Sequence, residues 1–390
     1  MNAPVLPTAR LTAVAPSADE GPAAQARAVC DRLARLLHEH GGAPGDIVHL
    51  TEFVGVTALE ARGELAAALA ELLGVHRPAR TTVISDTLPA GARFALAARL
   101  DPGGGRPLPG GLREARDGTV VLPTVLPLDP HGDLAHPGDF PRQYAHCLRT
   151  ADRLLRGAGL SLDHAVTTYD YSTPATRRAY PLCAGPRREL LGGAGVFPGA
   201  GGILMSRLHA PGILVVLDVT ASRHPLTAVN PGWQRYDTLT YSPGVRAGRT
   251  LHMSGFAALD MDTQQALHAG DPAAQTYEIY RAVRTVIEAA GGGPEDLVHT
   301  QEFLCPSAFA PSAFAPSAFA GSAPSAATTA TLADPLAEAR ASALGPRARP
   351  AVTTAGCAAL LRREFIVEVF PTAVLPAPAL ASGDLPEGGT

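Results

Sequence analysis

The cations that this chain could use to bind a substrate are all arginines. Arginine occupies all 32 lysine-or-arginine positions, and no lysine occurs. Without lysine the chain has neither a Schiff-base lysine nor the lysine of a phosphate-binding P-loop. Arginine instead offers a rigid, two-pronged donor that fits a carboxylate. The chemistry open to these cations is therefore the capture of carboxylates.

Two other stretches have a suggestive composition, but their spacing does not support a site. His38 and His40 are two positions apart on a predicted helix, so they point roughly 200° apart and cannot easily share a metal ion. The glycine-rich run at 192–202 lacks the strand, GxGxxG and helix context of a nucleotide site. No GxSxG nucleophile elbow occurs. We expect neither a metal nor an organic cofactor.

Composition and charge narrow the class of protein. An apolar fraction of 46% is typical of a globular protein, and a net charge of -4 leaves no footprint for nucleic acid or an anionic membrane. The first ten residues lack the pattern of a signal peptide, and no apolar stretch approaches the ~20 residues that span a bilayer. Five scattered cysteines without a CxxC pair fit a reduced, cytoplasmic setting.

A threefold internal repeat organises the chain. Gln25, Gln143 and Gln275 each lie near the start of a helical pattern, and an apolar stripe follows each glutamine at the same spacing, on one helix face. Each helix ends in glycine, and a short strand follows. Aligned at their first aspartates, the strands are predicted at 46–54, 163–171 and 296–304.

Each copy continues with a second helix and a closing hairpin. The second helices are predicted at 61–74, about 175–191 and about 331–344, and the hairpins at 80–100, 202–221 and 352–370. We therefore divide the chain into units 1–103, 104–228 and 229–390, of which the first is trimmed at its start and the second is divergent.

The pentapeptide PSAFA occurs three times in succession between residues 306 and 320, ahead of a Ser/Ala/Thr tract. Small residues and repeated proline cannot form a packed core, so a mobile insertion is predicted over about 306–330. The alternative is a lid over a pocket.

Three stretches of the third unit carry the pattern of a known family. They read YSPGVRAGRTLHMSGFAALD (241–260), AGDPAAQTYEIYRAVRTVIEAAG (269–291) and RPAVTTAGCAALLRREFIVEV (349–369), and the first unit carries RPARTTVISDTLPAGARFALAA at 77–98. They resemble the Rid family of reactive intermediate deaminases, also called YjgF. Members are typically homotrimers with outer helices, sheets around the threefold axis and ligand pockets between subunits. The resemblance implies an α+β, chorismate-mutase-like fold in which three tandem Rid/YjgF-like units form an intramolecular pseudo-trimer, monomeric in solution.

The resemblance also implies a pocket, but no unit keeps a full set of its residues. The family's arginine falls on Arg80 in the first unit, and its tyrosine, glycine and glutamate fall on Tyr241, Gly255 and Glu368 in the third. Arg80 and Glu368 each survive only where the other is lost, so we expect both in one cleft, within about 10 Å. Alternatively, Arg80 pairs with a surface acid, Glu368 caps a sheet edge and Tyr241 fills a gap.

Family substrates are enamines or imines of amino acids, which carry a carboxylate. In the role that the resemblance implies, Glu368 and Tyr241 are catalytic, with the glutamate holding or activating water, while Arg80 and Gly255 bind the substrate. The family's cysteine position holds Thr82 in the first unit and Thr354 in the third, which we assign to substrate binding. Because water is the nucleophile, the loss of cysteine does not remove this mechanism.

The second unit has a resemblance of its own. It reads RAYPLCAGPRREL (178–190), FPGAGGILMS (197–206) and GILVVLDVTASR (212–223). This is similar to the amino-terminal part of chorismatases, which also have Rid-like folds and hydrolyse the enolpyruvyl ether of chorismate. Four arginines would then bind a dicarboxylate, or else form a solvated basic helix face: Arg177, Arg187, Arg188 and Arg207.

Three functions remain open. The first is an imine or enamine hydrolase of a specialised biosynthetic pathway, favoured by a pocket that holds Arg80 with Glu368. The second is a chorismatase-like hydrolase, favoured by a pocket between the second and third units that those arginines surround. The third is a non-catalytic ligand-binding or scaffold protein, favoured if no pocket has convergent polar groups. Rid proteins are often labelled endoribonucleases, but no basic stripe supports RNA cleavage here.

Overall fold

The computed structural model describes residues 10–15, 20–193, 195–305 and 326–377, and for residues 326–334 it describes the backbone alone. No described helix is both long and apolar enough to cross a bilayer. The α-helices within these residues are α1 (Pro22–Glu39), α2 (Arg62–Leu73), α3 (Phe140–Gly157), α4 (Ala184–Leu190), α5 (Pro272–Ala289) and α6 (Ala326–Leu344).

The first sheet has the strand order β1-β4-β2-β3. Its strands are β1 (Arg10–Val14), β2 (Ile47–Gly55), β3 (Ala79–Ser85) and β4 (Phe94–Leu100). β2 and β3 run parallel, whereas the other pairs are antiparallel. The apolar stripe of α1 packs against this sheet, and Val29, Leu33 and Leu37 have no exposed surface. Burial of such a stripe is the main source of stability for an amphipathic helix.

The second sheet has the order β17-β9-β8-β10-β7-β6-β5. Its strands are β5 (Arg106–Pro107), β6 (Arg113–Glu114), β7 (Thr119–Val121), β8 (Ala165–Ser172), β9 (Gly199–Leu204), β10 (Val215–Ser222) and β17 (Ala359–Leu360). β8 and β9 form its parallel pair. The edge strand β17 comes from the last hairpin of the chain and thereby ties the third part of the chain to the second sheet.

The third sheet has the order β11-β12-β13-β18-β15-β16, with β14 also paired to β18. Its strands are β11 (Leu226–Val229), β12 (Gly244–Ala247), β13 (Thr250–Met253), β14 (Phe256–Ala257), β15 (Leu297–Leu304), β16 (Ala351–Gly356) and β18 (Val367–Val374). β15 and β16 are parallel. Each of the three sheets thus contains one parallel pair whose first strand also pairs antiparallel with a long returning strand.

One buried glutamine on each of the helices α1, α3 and α5 makes the same hydrogen bond. Gln25, Gln143 and Gln275 have no exposed surface. Each side-chain oxygen accepts from the backbone N–H directly before the returning strand β4, β10 or β18. The donors are Arg93 at 2.8 Å, Leu214 at 2.8 Å and Ile366 at 3.0 Å. Each glutamine therefore fixes its helix to its own sheet.

Contacts join the sheets in a consistent order. The Thr124 N–H donates to the Arg80 carbonyl at 3.2 Å, and the Gly255 N–H donates to the Ala200 carbonyl at 2.9 Å. These bonds place β3 of the first sheet against the second sheet and β9 of the second sheet against the third. The hydroxyls of Thr12 and Thr353 lie 2.8 Å apart and join the third sheet to the first.

The insertion predicted over about 306–330 is shorter than expected at its C-terminal side. α6 begins at Ala326, so residues 326–330 are helical. Alanine has the highest helix propensity, and the tract that begins at Ala326 is rich in it. The PSAFA repeats lie outside the described residues.

Candidate active site between the second and third sheets

A cavity of about 490 Å³ lies between the second and third sheets. Its walls come from α4 and the turn before it, from β9, from residues 235–241, from β14 and from the start of β18. This volume suits a small-molecule ligand. Tyr241, Gly255 and Glu368, which the sequence assigned to one pocket, all line this cavity.

Glu368 is the acid of this cavity, and it is buried. It lies on β18 opposite Phe303, and it is 6% exposed. Burial raises the pKa of Glu368 to about 8, the charge of Asp170 adds to the rise, and a hydrogen bond from the backbone of Gly202 opposes it. The carboxyl group is therefore protonated at neutral pH and can act as a general acid.

A second buried acid, Asp170, stands behind the cavity wall. The Tyr180 hydroxyl, part of that wall, donates to Asp170 Oδ2 at 2.7 Å, while Oδ1 has no partner among the described residues. Burial raises the pKa of Asp170 to about 7, against the Tyr180 hydrogen bond and the Arg187 charge. Gly202 leaves the space that this pair needs, because a Cβ there would overlap the Tyr180 hydroxyl.

Sequence reasoning missed Asp170 because of a one-residue error in strand alignment. The parallel pairs align Asp170 with Gly202, Glu52 with Thr82 and Glu302 with Thr354. Asp170 is thus the counterpart of the two glutamates. The first aspartates of the predicted strands are Asp46, Asp163 and Asp296, whereas the structure aligns His164 with Asp46 and Asp296 at the ends of equivalent turns. The sequence contains this information, because Asp163 follows its helix glutamine by one residue fewer than Asp46 and Asp296 follow theirs.

Arg187 of α4 is a structural cation in the cavity wall. It donates to the Tyr144 hydroxyl at 2.9 Å, to Thr168 Oγ1 at 2.6 Å and to the Thr240 carbonyl at 2.9 Å. Thr240 lies in the loop between β11 and β12 of the third sheet, so the guanidinium joins α4 to α3, to the second sheet and to this loop. Most of its donors are therefore occupied before any ligand binds.

Three further arginines line the cavity with donors to spare. Arg188 and Arg362 are exposed, and the Arg235 Nε has no partner among the described residues. Arg235 also donates to the Tyr241 hydroxyl at 3.4 Å. Because the lining acid Glu368 is neutral, these cations make the cavity attractive to carboxylates.

Aromatic and aliphatic side chains supply the apolar part of the lining. Tyr236 and Tyr241 pack edge to face with centroids 5.6 Å apart, and the Arg235 guanidinium lies 5.2 Å from the centre of the Tyr236 ring. Phe256 and Leu259 lie on the same lining. A ligand with a flat carbon skeleton can bury its faces here while its anionic groups reach arginine.

The prediction that Arg80 and Glu368 share a cleft is wrong. Arg80 does not line this cavity, and its guanidinium pairs with Glu52 on the adjacent strand. The reason is the order in which the sheets meet. The strand of Arg80 meets Thr124, so Arg80 lies where the first sheet contacts the second. Glu368 faces Gly202, so it lies where the third sheet contacts the second.

Thr82 and Thr354 also lie outside the cavity. The Thr82 N–H donates to Thr124 Oγ1 at 2.8 Å, and the Thr354 hydroxyl lies 3.5 Å from Glu302 Oε2. Arg340 of α6 pairs with that same glutamate. The structure therefore distributes the predicted pocket residues over three interfaces and assembles Tyr241, Gly255 and Glu368 at one.

Of the arginines considered for a dicarboxylate, two line the cavity. These are Arg187 and Arg188. Arg177 donates to the Leu360 carbonyl at 2.9 Å, and Arg207 pairs at 3.8 Å with the exposed Glu60. No group of His, Cys, Asp and Glu that could hold a metal ion occurs in the described part of the chain.

Residues 235–311 match the model of the family described as endoribonuclease L-PSP, which is the YjgF/Rid family. The resemblance identified in the third unit is thereby confirmed. Among solved structures, a chorismatase matches 94% of this chain and 99% of its own, with a TM-score of 0.55 and 15% identity. At that identity the match shows a shared fold.

Two shorter solved structures also match. A putative endoribonuclease L-PSP from Entamoeba histolytica has 21% identity, covers 39% of this chain and 100% of its own, and has a TM-score of 0.28. RidA from an Antarctic Psychrobacter bacterium has 22% identity, covers 35% of this chain and 90% of its own, and has a TM-score of 0.27.

Proposed function

We propose that this protein is an enol ether hydrolase that removes the enolpyruvyl group from a small carboxylated metabolite, with Glu368 as its general acid. The observation that carries the proposal is the burial of the Glu368 carboxyl group, which raises its pKa to about 8, in a cavity lined by arginines. Such hydrolysis begins with proton transfer to carbon, which requires a carboxyl group that is neutral at working pH.

The architecture that we propose for this enzyme is a single-chain pseudo-trimer. Its units are 1–103, 104–228 and 229–390. The glutamine hydrogen bond made on α1, α3 and α5 supports the repeat. The contacts that join first sheet to second, second to third and third to first support a ring. The catalytic cavity then lies at one of three non-equivalent interfaces.

In the proposed reaction Glu368 donates its proton to the terminal carbon of the enolpyruvyl double bond. The adjacent carbon becomes an oxocarbenium centre, to which water adds, and the proton lost by water returns to Glu368. The resulting hemiketal breaks its bond to the ether oxygen and releases the alcohol and pyruvate, so one water is consumed. The charge of Asp170 supports the first step because it favours the neutral form of Glu368.

Substrate capture falls to the arginines with free donors. Arg188, Arg235 and Arg362 line the cavity and can bind the carboxylate of the enolpyruvyl group and a second carboxylate of the metabolite. The rings of Tyr236 and Phe256 provide apolar surface for the carbon skeleton. A dicarboxylate with a flat ring fits this distribution of charge and apolar surface.

Imine hydrolysis in the same cavity is the second candidate. It is favoured by the assembly of Tyr241, Gly255 and Glu368, which the Rid resemblance assigns to one pocket. The counterpart of Arg80 in the strand that faces Glu368, however, is Ala200, which lies two residues before Gly202 as Arg80 lies two residues before Thr82. Because a Rid-type carboxylate contact is missing there, the enol ether is the better substrate.

The test is to incubate the full chain with chorismate and measure pyruvate through lactate dehydrogenase. We expect turnover by the wild type and a loss of ~10²-fold or more in kcat for Glu368→Gln. The matched control is Glu364→Gln, which changes an exposed acid four residues earlier and should leave kcat unchanged. Absence of pyruvate, or equal rates for the wild type and Glu368→Gln, would contradict the proposal. Accelerated ammonia release from imines made by an amino-acid oxidase would favour the second candidate.

A further inference from the structure

A second, smaller cavity of about 80 Å³ lies where the three sheets meet. All three sheets contribute to its lining, which includes side chains from β1 and β2, from β8 and β10, and from β13 and β15. Its basic groups are Arg10, Arg99, His49, His252 and His299. None of these five residues lines the cavity that holds Glu368.

Arg10 brings a charge to this cavity that no ion pair within the described residues neutralises. Arg99 is neutralised by Asp117, whose Oδ2 lies 2.7 Å from its Nη2. Arg10 makes no hydrogen bond and no ion pair within the described residues. Burial lowers the pKa of Arg10 to about 9, and the charge of Arg99 adds to the effect, so Arg10 remains protonated at neutral pH. A buried cation without a partner is costly unless an anion neutralises it.

The histidines of the cavity supply neutral donors. Burial, together with the charges of Arg10 and Arg99, lowers the pKa of His49 and of His252 to about 3. His49 Nε2 lies 3.1 Å from the Thr81 hydroxyl, whereas His252 Nε2 is buried and has no partner in the described part of the chain. A neutral imidazole that turns an N–H to the cavity can donate to an anion.

The acid among the described lining residues is Asp218, and it does not neutralise Arg10. The Thr124 hydroxyl donates to Asp218 Oδ1 at 2.9 Å. Burial raises the pKa of Asp218 to about 7, so this group is partly protonated at neutral pH. The charge of Arg10 is therefore left for a ligand.

We propose that this central cavity binds one small inorganic oxyanion of the phosphate or sulfate type, with Arg10 as its counter-ion and His252 as a donor. A single water requires about 10–15 Å³ of such volume, so a cavity of about 80 Å³ accommodates an oxyanion but not a metabolite with a ring. Because Arg10 belongs to the first sheet and His252 to the third, and the second sheet completes the lining, the bound anion stabilises the contact of the sheets.

The test uses the full chain dialysed into chloride buffer, with inorganic phosphate or sulfate added at constant ionic strength. The oxyanion should raise the Tm of the wild type by a few degrees, because a ligand that binds the folded state alone stabilises it. Arg10→Met should abolish this rise, and Arg10→Lys, which keeps the charge, should retain part of it. Arg32→Met, which removes an exposed arginine of α1, should respond like the wild type.

Crystals grown with selenate provide the second measurement, since selenium gives an anomalous signal. We expect a peak beside Arg10 in the wild type and none in Arg10→Met. A cavity that contains only water in both proteins would overturn the proposal. So would an equal Tm rise in the wild type and Arg10→Met, and so would a selenate peak with no Tm response, which would indicate an adventitious ion only.

Discussion

The carboxyl group of Glu368 lies directly against Gly255. A Cβ atom built on this glycine would come 2.5 Å from Glu368 Oε1 and 2.6 Å from the ring of Phe370. Because Gly255 also donates its N–H to the Ala200 carbonyl, its backbone cannot withdraw without breaking the contact between the second and third sheets. The missing side chain is therefore what lets the acid reach the cavity.

Gly255→Ala should displace Glu368 and reduce turnover by at least ~10-fold, because a general acid must lie within hydrogen-bonding reach of the atom that it protonates. The overlap should also cost about 1–3 kcal/mol of unfolding free energy. Both are measured with the pyruvate assay and by denaturant titration. Gly63→Ala is the control, since nothing lies within 4 Å of a Cβ there and alanine favours the helix. An unimpaired kcat for Gly255→Ala would show that the position of Glu368 is not critical.

Replacement by methionine should affect stability at Arg187 and substrate binding at Arg188, although the two residues are adjacent on α4. Arg187→Met removes hydrogen bonds to Tyr144, Thr168 and Thr240, so the unfolding free energy should fall by at least ~2 kcal/mol. Arg188 is exposed, so Arg188→Met should leave the Tm unchanged and raise KM for a carboxylated substrate. Each variant serves as the control for the other, in thermal unfolding and in steady-state kinetics. A normal KM for Arg188→Met would exclude Arg188 from substrate binding.

The sequence predicted the helices that carry the buried glutamines, because such helices depend on patterns that adjacent residues carry. The helix predicted at about 175–191 is shorter, since only Ala184–Leu190 is α-helical and two 3-10 turns precede it. The apolar stripes indicated α1, α3 and α5, and the Rid-like motifs brought Tyr241, Gly255 and Glu368 together. These three residues lie close together because they belong to one unit and its sheet. Their proximity therefore does not depend on how the three sheets pack against each other.

The partner strand across the interface could not be predicted, since it depends on the order in which the sheets meet. The residue pattern places Arg80 in the cleft of Glu368, which lies between the second and third sheets. In the structure, the strand of Arg80 instead meets the second sheet at Thr124, on the side of the first sheet. Similarly, the contact of Arg187 with the Thr240 carbonyl joins positions 53 residues apart that no periodicity relates. Contacts of this kind arise from tertiary packing.

The chain should be monomeric in solution, because three fused units would complete the proposed ring within one molecule. Light scattering coupled to size exclusion should give a mass near 40.2 kDa. A mass near 120 kDa, about three times 40.2 kDa, would show that ring formation requires several chains. Arg10→Met in oxyanion-free buffer provides a comparison, since loss of the central cation should not change the mass.

Turnover should fall as the pH rises through about 8. Only the protonated form of Glu368 can start the proposed reaction, and burial raises the pKa of this group to about 8. Above that pH kcat should decrease about tenfold per pH unit, and below it kcat should be level until another group titrates. The measurement is kcat from about pH 6 to about pH 10, with Glu364→Gln expected to follow the wild type. A rate that increases with pH across this range would indicate that Glu368 acts as a base.

Glu368→Gln should make the stability of the protein less sensitive to pH. In the unfolded chain this carboxyl group ionises near its ordinary value of 4.5, whereas in the folded protein it stays protonated up to about 8. Between those values the folded state binds more protons, so its stability falls as the pH rises, by about 1.4 kcal/mol per unit of pKa difference at most. Glutamine cannot ionise, so the variant should equal the wild type near pH 4 and exceed it in stability near pH 8.

Asp170, whose pKa is also raised, contributes in the same direction and leaves part of the slope of stability against pH in place. Urea titrations across this range measure the slope, with Glu364→Gln as the control. An unchanged slope for Glu368→Gln would mean that Glu368 is ionised in the folded protein and cannot be the proton donor.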